Sequence, residues 1–346
     1  MTKPQIGILG GGQLARMLAL SAHPLGLDVS VFAAQSTEPA ALVCGKTRLG
    51  SMGDEADLRK FLSGVNVVTF ESEFVDIDKL RRCVPREAYV FPRLDVIEGI
   101  QDRLPQKRLL DRFNINTSPW LEVRNAADLR EAQECFREGF VLKQRRFGYD
   151  GYGTFVCRNG RVDSQILQKS PHGFVAEKFV AFKRELAVSF VRSRSGDFLA
   201  LPLVESVQVD SRCFSVHGPV RHRGLKALQA RFKKLMHELD YVGILAVEMF
   251  DTGKELVVNE LAPRVHNSAH YSQDGLTCSQ FEYHLRAGLD LPLPKINLTR
   301  PGFAMVNLLG EGRAPVRLSY SPFGKLHWYG KTENPARPQD GPHQYR

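Results

Sequence analysis

The chain has 346 residues and an ordinary globular composition, with 47 basic and 38 acidic side chains and a net charge of +9, so we expect two or three domains. It has no apolar run of 18 residues and no signal-peptide pattern, and its six cysteines are scattered. These features argue against a membrane protein, a disulfide scaffold and a zinc site, and they predict a cytoplasmic location. No basic stripe is interleaved with aromatic residues, so we expect the positive charge to serve small anions rather than nucleic acid.

The chain opens with a glycine-rich turn between a short apolar strand and a helix. The strand covers residues 6–9, and Gly10, Gly11 and Gly12 form the turn. This spacing matches the dinucleotide-binding fingerprint, in which the helix N-terminus suits an anion. That fingerprint also needs an acidic residue at the end of the second strand. Here residues 28–32 are followed by no acid before Glu38, so a nicotinamide cofactor is disfavoured.

A later apolar strand, residues 65–70, ends in two carboxylates, Glu71 and Glu73. Open α/β sheets bind ligands at the carboxyl ends of their strands, although a pair of surface acids is the alternative. Residues 101–113 have helical spacing of apolar side chains, and the domain boundary is predicted just before them, around residues 91–99. Asn125 is a predicted N-cap for a helix through about residue 138.

A second glycine-rich turn follows Lys143, which ends a predicted strand. Three glycines, at 148, 151 and 153, fall within six residues, and such a loop can fold closely around phosphate oxygens. It is not a Walker loop, because no Gly-Lys-Ser/Thr follows and the lysine precedes the loop. A phosphate-binding lid and a flexible glycine hairpin are both consistent with this pattern.

Two short apolar strands near residue 250 each end in a glutamate. Residues 241–247 lead to Glu248, residues 256–259 lead to Glu260, and residues 251–254 have turn chemistry. If the register brings the two carboxylates together, they suit Mg²⁺ held by carboxylates and substrate phosphates. Solvent-facing residues on an edge hairpin are the alternative. Pro263 then stops the strand, and the loop behind it carries Arg264, His266 and Asn267.

Glu248, the 259–268 block (Asn-Glu-Leu-Ala-Pro-Arg-Val-His-Asn-Ser) and the second glycine turn together resemble the ATP-grasp ligases, from residue 6 to about residue 331. The resemblance implies an α/β ATP-grasp fold with a Rossmann-like pre-ATP-grasp domain over 1–100 and an ATP-grasp domain over 101–295. A mobile lid subdomain is expected at about 115–180, and a small C-terminal domain at 296–346.

The implied activity is that of an ATP-dependent carbon–nitrogen ligase of purine biosynthesis. It joins bicarbonate to 5-aminoimidazole ribonucleotide and releases ADP and phosphate. An ATP-grasp ligase with another acceptor and a non-catalytic nucleotide-binding protein are the alternatives. A homodimer is predicted.

The resemblance also implies a role for each matching residue. Glu248 and Glu260 would hold Mg²⁺, with Mn²⁺ as a substitute, and Tyr149, Asp150 and Arg264 would be catalytic. ATP would contact Arg103, Lys143, Gly148, Tyr149, Asp150, Gly151, Tyr152, Gly153, Thr154, Glu177, Lys178, Phe179, Val180, Glu185, Gln208, Asn259 and Glu260. The ribonucleotide would contact Gln13, Leu14, Glu73, Arg264, His266, Asn267 and Lys331.

The sequence departs from the family pattern at two places. Gln208 stands where members usually carry His, and Gln cannot be protonated. After Lys331 the chain has three prolines and few apolar residues, so the C-terminal domain is predicted to be truncated or altered there. Residues 303–310 and 325–331 are predicted late strands, and His284 is predicted to be structural rather than catalytic.

Overall fold

A computed structural model describes residues 4–148, 151–160, 162–308 and 324–330, and the backbone of residues 344–345. Its strands form three sheets. Within the described ranges, no helix has the length and apolar character needed to cross a membrane.

The first sheet is parallel and belongs to the N-terminal part of the chain. Its strands are β1 (Gln5–Leu9), β2 (Asp28–Ala33), β3 (Thr47–Leu49), β4 (Val67–Phe70) and β5 (Tyr89–Val90). Its helices are α1 (Gln13–Ala22), α2 (Glu55–Leu62) and α3 (Ile77–Cys83), with a 3₁₀ turn at His23–Leu25. The strand order is β3-β2-β1-β4-β5, so the order reverses beside β1. Ligand crevices form at such switch points, which places the ends of β1 and β4 at the predicted site.

Two helices lead from this sheet to the rest of the chain: α4 (Leu94–Gln101) and α5 (Arg103–Arg112). The helix predicted over 101–113 is α5, but it begins at Arg103, because Asp102 has an extended backbone and its carboxylate caps α5 by accepting from Leu104 N. The predicted boundary stretch is itself mostly α4. Ile97 packs against residues of the first sheet, such as Leu9 and Phe70, whereas Val96 and Ile100 pack into the core of the following domain.

A second sheet carries the predicted lid. Its strands are β6 (Trp120–Val123), β7 (Gly139–Gln144), β8 (Thr154–Arg158) and β9 (Phe174–Lys178), with α6 (Ala126–Cys135) and a 3₁₀ segment at Ser164–Lys169 against them. Asn125 caps α6 as predicted, and the helix ends at Cys135, before the predicted residue 138. The sheet has its own small core, which includes Phe140, Phe155 and Phe174.

The third sheet is antiparallel. Its strands are β10 (Arg184–Arg192), β11 (Phe198–Ala200), β12 (Val204–Val209), β13 (Arg212–Gly218), β14 (Gly243–Asp251), β15 (Leu256–Ala262) and β16 (Phe303–Val306). The order is β15-β14-β10-β12-β13-β16, and β11 pairs with β10. The helices are α7 (Leu225–Glu238), α8 (Ser272–Gly275) and α9 (Gln280–Gly288), with a 3₁₀ turn at Asn267–Ala269. Leu228, Phe232 and Leu235, which are spaced three or four residues apart along α7, are buried.

The late strands agree with the prediction only in part. β16 lies within residues 303–310, but the described residues 325–330 contain no strand. They lie instead near α8, where Lys325 and His327 pair with Asp274. A last strand, β17 (Gln344–Tyr345), pairs with β8 at the edge of the lid sheet.

Candidate active site

The two predicted metal-binding carboxylates lie directly opposite each other. Glu248 of β14 pairs in register with Glu260 of β15, and a bulge follows Glu248. The turn between the strands places Gly253 at a φ of +85°, a conformation that glycine adopts without strain. The side chains of Glu248 and Glu260 are 20% and 33% exposed. The hairpin and the pairing follow the sequence prediction.

Cations near Glu260 keep its carboxylate ionised. Burial alone would raise the pKa of Glu260, but the charges of Arg103 and Lys143 outweigh this effect and lower the pKa to about 2. Arg103 Nη1 donates to Glu260 Oε2 at 2.8 Å. On the other side, His266 Nδ1 lies 3.7 Å from Glu248 Oε1. Burial, followed by the charge of Arg264, lowers the pKa of His266 to about 4, so this ring is neutral at physiological pH.

The carboxylate pair fits a magnesium ion that shares its ligands with a substrate. Among the described residues, no group of three or more His, Cys, Asp or Glu side chains gathers as a self-sufficient metal site. Mg²⁺ is commonly held by only one or two carboxylates and completes its shell with phosphate oxygens and water. Two carboxylates directly opposite each other, of which Glu260 is held ionised, match that requirement.

A buried ionic network lies behind this pair. Lys143 Nζ donates to Asn259 Oδ1 at 2.8 Å and to Glu177 Oε2 at 3.2 Å. Lys107 Nζ reaches the same Glu177 Oε2 at 2.9 Å. Burial would raise the pKa of Glu177, but Lys143 and Lys107 outweigh it and the pKa is lowered. The predicted ATP ligands Lys143, Glu177 and Asn259 therefore form one connected cluster.

The second glycine turn lies against the same cluster through Arg103. Arg103 Nη2 donates to the carbonyl of Gly148 at 3.4 Å, and Arg103 N donates to the carbonyl of Arg145 at 2.9 Å. Gly151 and Gly153 have φ values of +81° and +71°, which only glycine adopts readily. Tyr152 is exposed, and Thr154 begins β8. The predicted residues Tyr149, Asp150 and Lys331 lie outside the described residues.

Four of the residues predicted to bind the ribonucleotide come from distant parts of the chain and are joined by the structure in two pairs. Gln13 Nε2 donates to Asn267 Oδ1 at 3.2 Å. Arg264 forms a two-point ion pair with Glu73, through Nε to Oε2 and through Nη2 to Oε1 at 3.2 Å. Arg264 and Glu73 were each predicted to contact the substrate, and in the structure they also form an ion pair with each other. Leu14 is half-buried and packs against the core of the first domain.

One pocket is lined by residues of both groups. Its empty space, including the part open to solvent, is about 540 Å³, and its lining includes Glu73, Arg264, Arg103, Gly148 and Glu260.

Comparison with known proteins agrees with this geometry. A family model for the ATP-grasp domain matches residues 108–281, and one for the ribonucleotide synthetase preATP-grasp domain matches residues 1–101. N5-carboxyaminoimidazole ribonucleotide synthase from Synechococcus elongatus is 40% identical over 95% of this chain and 86% of the relative. The enzyme from Bacillus subtilis is 37% identical over 95% of this chain and 87% of the relative.

The chain belongs to the N5-carboxyaminoimidazole ribonucleotide synthases.

Solved structures of this synthase family support the fold. The crystal structure from Thermus thermophilus superposes with a TM-score of 0.84 at 36% identity, over 96% of this chain and 91% of that one. A structure from Aspergillus clavatus in complex with ADP and 5-aminoimidazole ribonucleotide superposes at 0.80 and 32% identity, over 90% and 84% of the two chains. The predicted ATP-grasp fold and ATP-dependent ligase activity are confirmed.

Two synthase residues that sequence reasoning missed are Lys107 and Glu71. Lys107 stands between Leu104 and Leu110 at helical spacing, on the buried face of α5. A lysine at an apolar position of a helix is the sequence feature that could have identified it. Glu71 was interpreted only as one of two acids after a strand. Its carboxylate accepts from Gly12 N at 2.9 Å and from Ala15 N at 3.1 Å, so it fills the anion position at the start of α1.

The remaining predicted ATP residues are spread along the third and lid sheets. Lys178, Phe179 and Val180 lie at the end of β9, and the Lys178 carbonyl accepts from Ser118 Oγ at 2.6 Å. Glu185 is on β10, where burial raises its pKa. Gln208 is on β12 and donates to Ser206 Oγ at 2.9 Å, so this bond joins it to a neighbour on its own strand.

Proposed function

We propose that this chain makes N5-carboxyaminoimidazole ribonucleotide from ATP, bicarbonate and 5-aminoimidazole ribonucleotide, with the residues of the shared pocket acting on the two phosphorylated substrates. The observation that carries this assignment is the pocket itself, which is lined by both the Arg103–Glu260 pair and the Arg264–Glu73 pair. The first pair lies in the cluster suited to a triphosphate, and the second suits a sugar phosphate.

Glu248 and Glu260 would hold Mg²⁺ on the ATP side, and Mn²⁺ could use the same oxygens. The ion would neutralise negative charge on the phosphates when it is bound. Support comes from the direct Glu248–Glu260 pairing and from the depressed pKa of Glu260. Arg103 holds one oxygen of Glu260 and thereby fixes the carboxylate plane.

Lys143, Arg103 and the second glycine turn would position the triphosphate. A bicarbonate oxygen attacks the γ-phosphorus, the bond from that phosphorus to the bridging oxygen breaks, and ADP leaves with the electron pair. The resulting carboxyphosphate is attacked at its carbonyl carbon by the exocyclic amine, phosphate departs, and the amine loses one proton. Positioning and electrostatic stabilisation are the chief contributions that a protein makes to such a phosphoryl transfer. Tyr149 and Asp150 stay predictions for the carboxylation step.

Arg264 would bind the ribonucleotide phosphate, with Asn267, His266 and Gln13 beside it. A guanidinium can donate to two phosphate oxygens at once. Glu73 orients that fork through its two-point pair and would also be near the ribose hydroxyls. His266 contributes a hydrogen bond and no charge, because its pKa is about 4. The homodimer and the cytoplasmic location stay predictions.

The substitution Arg264→Ala tests this placement of the substrates. Loss of a charge-assisted contact should cost about 1.5–3 kcal/mol, which corresponds to about a ten- to hundredfold weaker binding of the ribonucleotide. The Kd for ATP should stay near wild type, and Arg264→Lys should recover only part of the loss. Isothermal titration with each ligand separately measures both values.

Arg130→Ala, on the exposed face of α6, is the matched control and should change neither Kd. The placement is wrong if Arg264→Ala weakens ATP and spares the ribonucleotide. The reaction itself is tested by ADP release, which should require bicarbonate and the ribonucleotide together. Release that needs neither would leave only an ATPase.

A further inference from the structure

The side chain of Lys107 is buried in a helix where an apolar residue would complete the pattern. Its relative exposure is 1%, and it lies on α5 between the buried residues Leu104 and Leu110. Burying an ammonium group is costly unless it is paired and hydrogen-bonded. The function proposed above gives Lys107 no role, and a charged side chain at a core position needs an explanation.

We propose that Lys107 is a positioning residue of the ATP site, which holds the Glu177 carboxylate and through it sets the place of the Lys143 ammonium. This inference rests on the proposed function only in assigning Lys143 to ATP. It adds Lys107 of helix α5 to the ATP site, and Lys107 need not touch the nucleotide.

Two bonds fix the Lys107 ammonium. It lies 2.9 Å from Glu177 Oε2 and donates to Thr117 Oγ1 at 2.7 Å. The Thr117 hydroxyl in turn donates to the carbonyl of Val258 at 2.7 Å, which leaves its oxygen as the acceptor for the lysine. Lys107 is therefore anchored to β15, the strand that carries Asn259 and Glu260.

Lys107 and Lys143 share a single carboxylate oxygen. Lys143 Nζ is 3.2 Å from the same Glu177 Oε2, while its shorter contact, 2.8 Å, is to Asn259 Oδ1. The other oxygen, Glu177 Oε1, is buried and has no hydrogen-bond partner within the part of the chain that the structure describes. The two lysines therefore compete for one acceptor, and the competition leaves Lys143 directed toward Asn259.

Removing Lys107 should release that competition. Glu177 would keep Lys143 as its nearest ammonium, and the attraction between them would no longer be divided. Lys143 would then be drawn toward Glu177 and away from Asn259, so it would be less available to phosphate oxygens. A stabilising role alone is a weaker explanation, since replacing buried ion pairs with apolar residues of similar size is often neutral or even stabilising.

The test is Lys107→Met, which keeps the length and the apolar stem of the side chain and removes the charge. We expect the Kd for ATP to rise about tenfold and the Kd for the ribonucleotide to stay at the wild-type value. Isothermal titration gives both constants, and thermal unfolding reports the fold. Lys226→Met, at an exposed position of α7, is the matched control and should change neither constant.

A double-mutant cycle with Glu177→Gln separates positioning from a direct contact with ATP. If Lys107 acts through Glu177, the double variant should bind ATP no more weakly than Glu177→Gln alone, because both changes break one chain of contacts. Additive losses would overturn the proposal, and so would an equal weakening of both ligands by Lys107→Met.

Thr117→Val carries the test if Lys107→Met does not fold. It removes the second anchor of the ammonium and leaves Glu177 in place, so the Kd for ATP should rise about two- to threefold. An unchanged Kd would overturn the proposal. Failure of the proposed function would look different, because ADP release by the wild-type protein would then not depend on the ribonucleotide.

Discussion

The chain has two glycine-rich turns that look alike in sequence, and the structure uses them in opposite ways. At the first, the carboxylate of Glu71 receives hydrogen bonds from Gly12 N and Ala15 N, and Glu38 receives one from Ala34 N at 2.7 Å. At the second, the Gly148 carbonyl faces the guanidinium of Arg103 beside the pocket.

The first turn is closed by the protein's own acids, whereas the second borders the pocket proposed for ATP. A Cβ added to Gly10 would lie 2.3 Å from the Cγ atom of Glu71, and one added to Gly11 would lie 2.1 Å from a Glu38 oxygen. Glycine therefore indicates only that something approaches the backbone closely. Which group approaches, a side chain or a ligand, depends on residues that are distant in sequence.

The largest effect should come from Glu260→Gln, beside the second turn. The substitution keeps the volume and removes a charged metal ligand, so we expect turnover to fall by about a thousandfold or more, equivalent to about 4 kcal/mol in the activation barrier. Steady-state ADP release over a range of Mg²⁺ concentrations measures it, and circular dichroism should show an unchanged fold.

Glu255→Gln, in the exposed turn of the same hairpin, should keep wild-type turnover and serves as its control. Wild-type dependence on Mg²⁺ in the Glu260 variant would refute the metal role.

The next effect is on folding and comes from the first turn. Gly10 has a φ of +121° and is packed against Glu71, so Gly10→Ala should lower the free energy of unfolding by about 3 kcal/mol. Gly26 has a φ of +66° with open space around it, and Gly26→Ala should cost only about 1 kcal/mol from the backbone conformation. Urea unfolding of both variants isolates the steric part.

Gly153→Ala is the counterpart in the second turn. Its new methyl group would meet the Gln144 side chain at 2.7 Å, a contact that a flexible side chain can relieve. We expect Gly153→Ala to raise the KM for ATP and to lower the free energy of unfolding by less than Gly10→Ala does. A Gly10 variant as stable as the wild type would remove the distinction between the two turns.

The smallest effect is the pH dependence that Glu71 gives to stability. Burial raises the pKa of Glu71 above its ordinary value of 4.5, so the folded state holds this proton more tightly than the unfolded chain does. The stability that accompanies the protonated form is complete at low pH and is lost as the pH rises through the folded-state pKa. Gln resembles the protonated acid and does not titrate.

The stability of Glu71→Gln relative to wild type should therefore rise as the pH increases above 4.5. Urea unfolding at several pH values measures the slope, and Glu87→Gln, at an exposed position, should show none of it. A slope of the opposite sign would mean that the folded state favours the ionised carboxylate.

Much of the site could be predicted from local sequence because its signals are local. Alternating apolar residues and turn chemistry identify the hairpin of Glu248 and Glu260, and Pro263 ends its second strand. His284 was correctly predicted to be structural: Thr69 Oγ1 is hydrogen-bonded to its Nε2 and Ile244 N donates to its Nδ1, at 2.8 and 3.1 Å, and burial lowers its pKa to about 3. The break at Asp102 was missed, because the capping carboxylate is held by Arg145, which follows β7 and is distant from Asp102 in the sequence.

The sequence by itself determined the hairpin of Glu248 and Glu260, the two glycine-rich turns and the block of residues that identifies the family. Only the tertiary structure decided that Glu71 fills one turn, that Glu73 holds Arg264, and that Lys107 and Lys143 share Glu177. The physical reason is that backbone propensity and hydrophobic period act over a few residues, whereas ion pairs and hydrogen bonds act between atoms brought together by packing. Glu73 and Arg264 are 191 positions apart in the chain, and no local pattern records their contact.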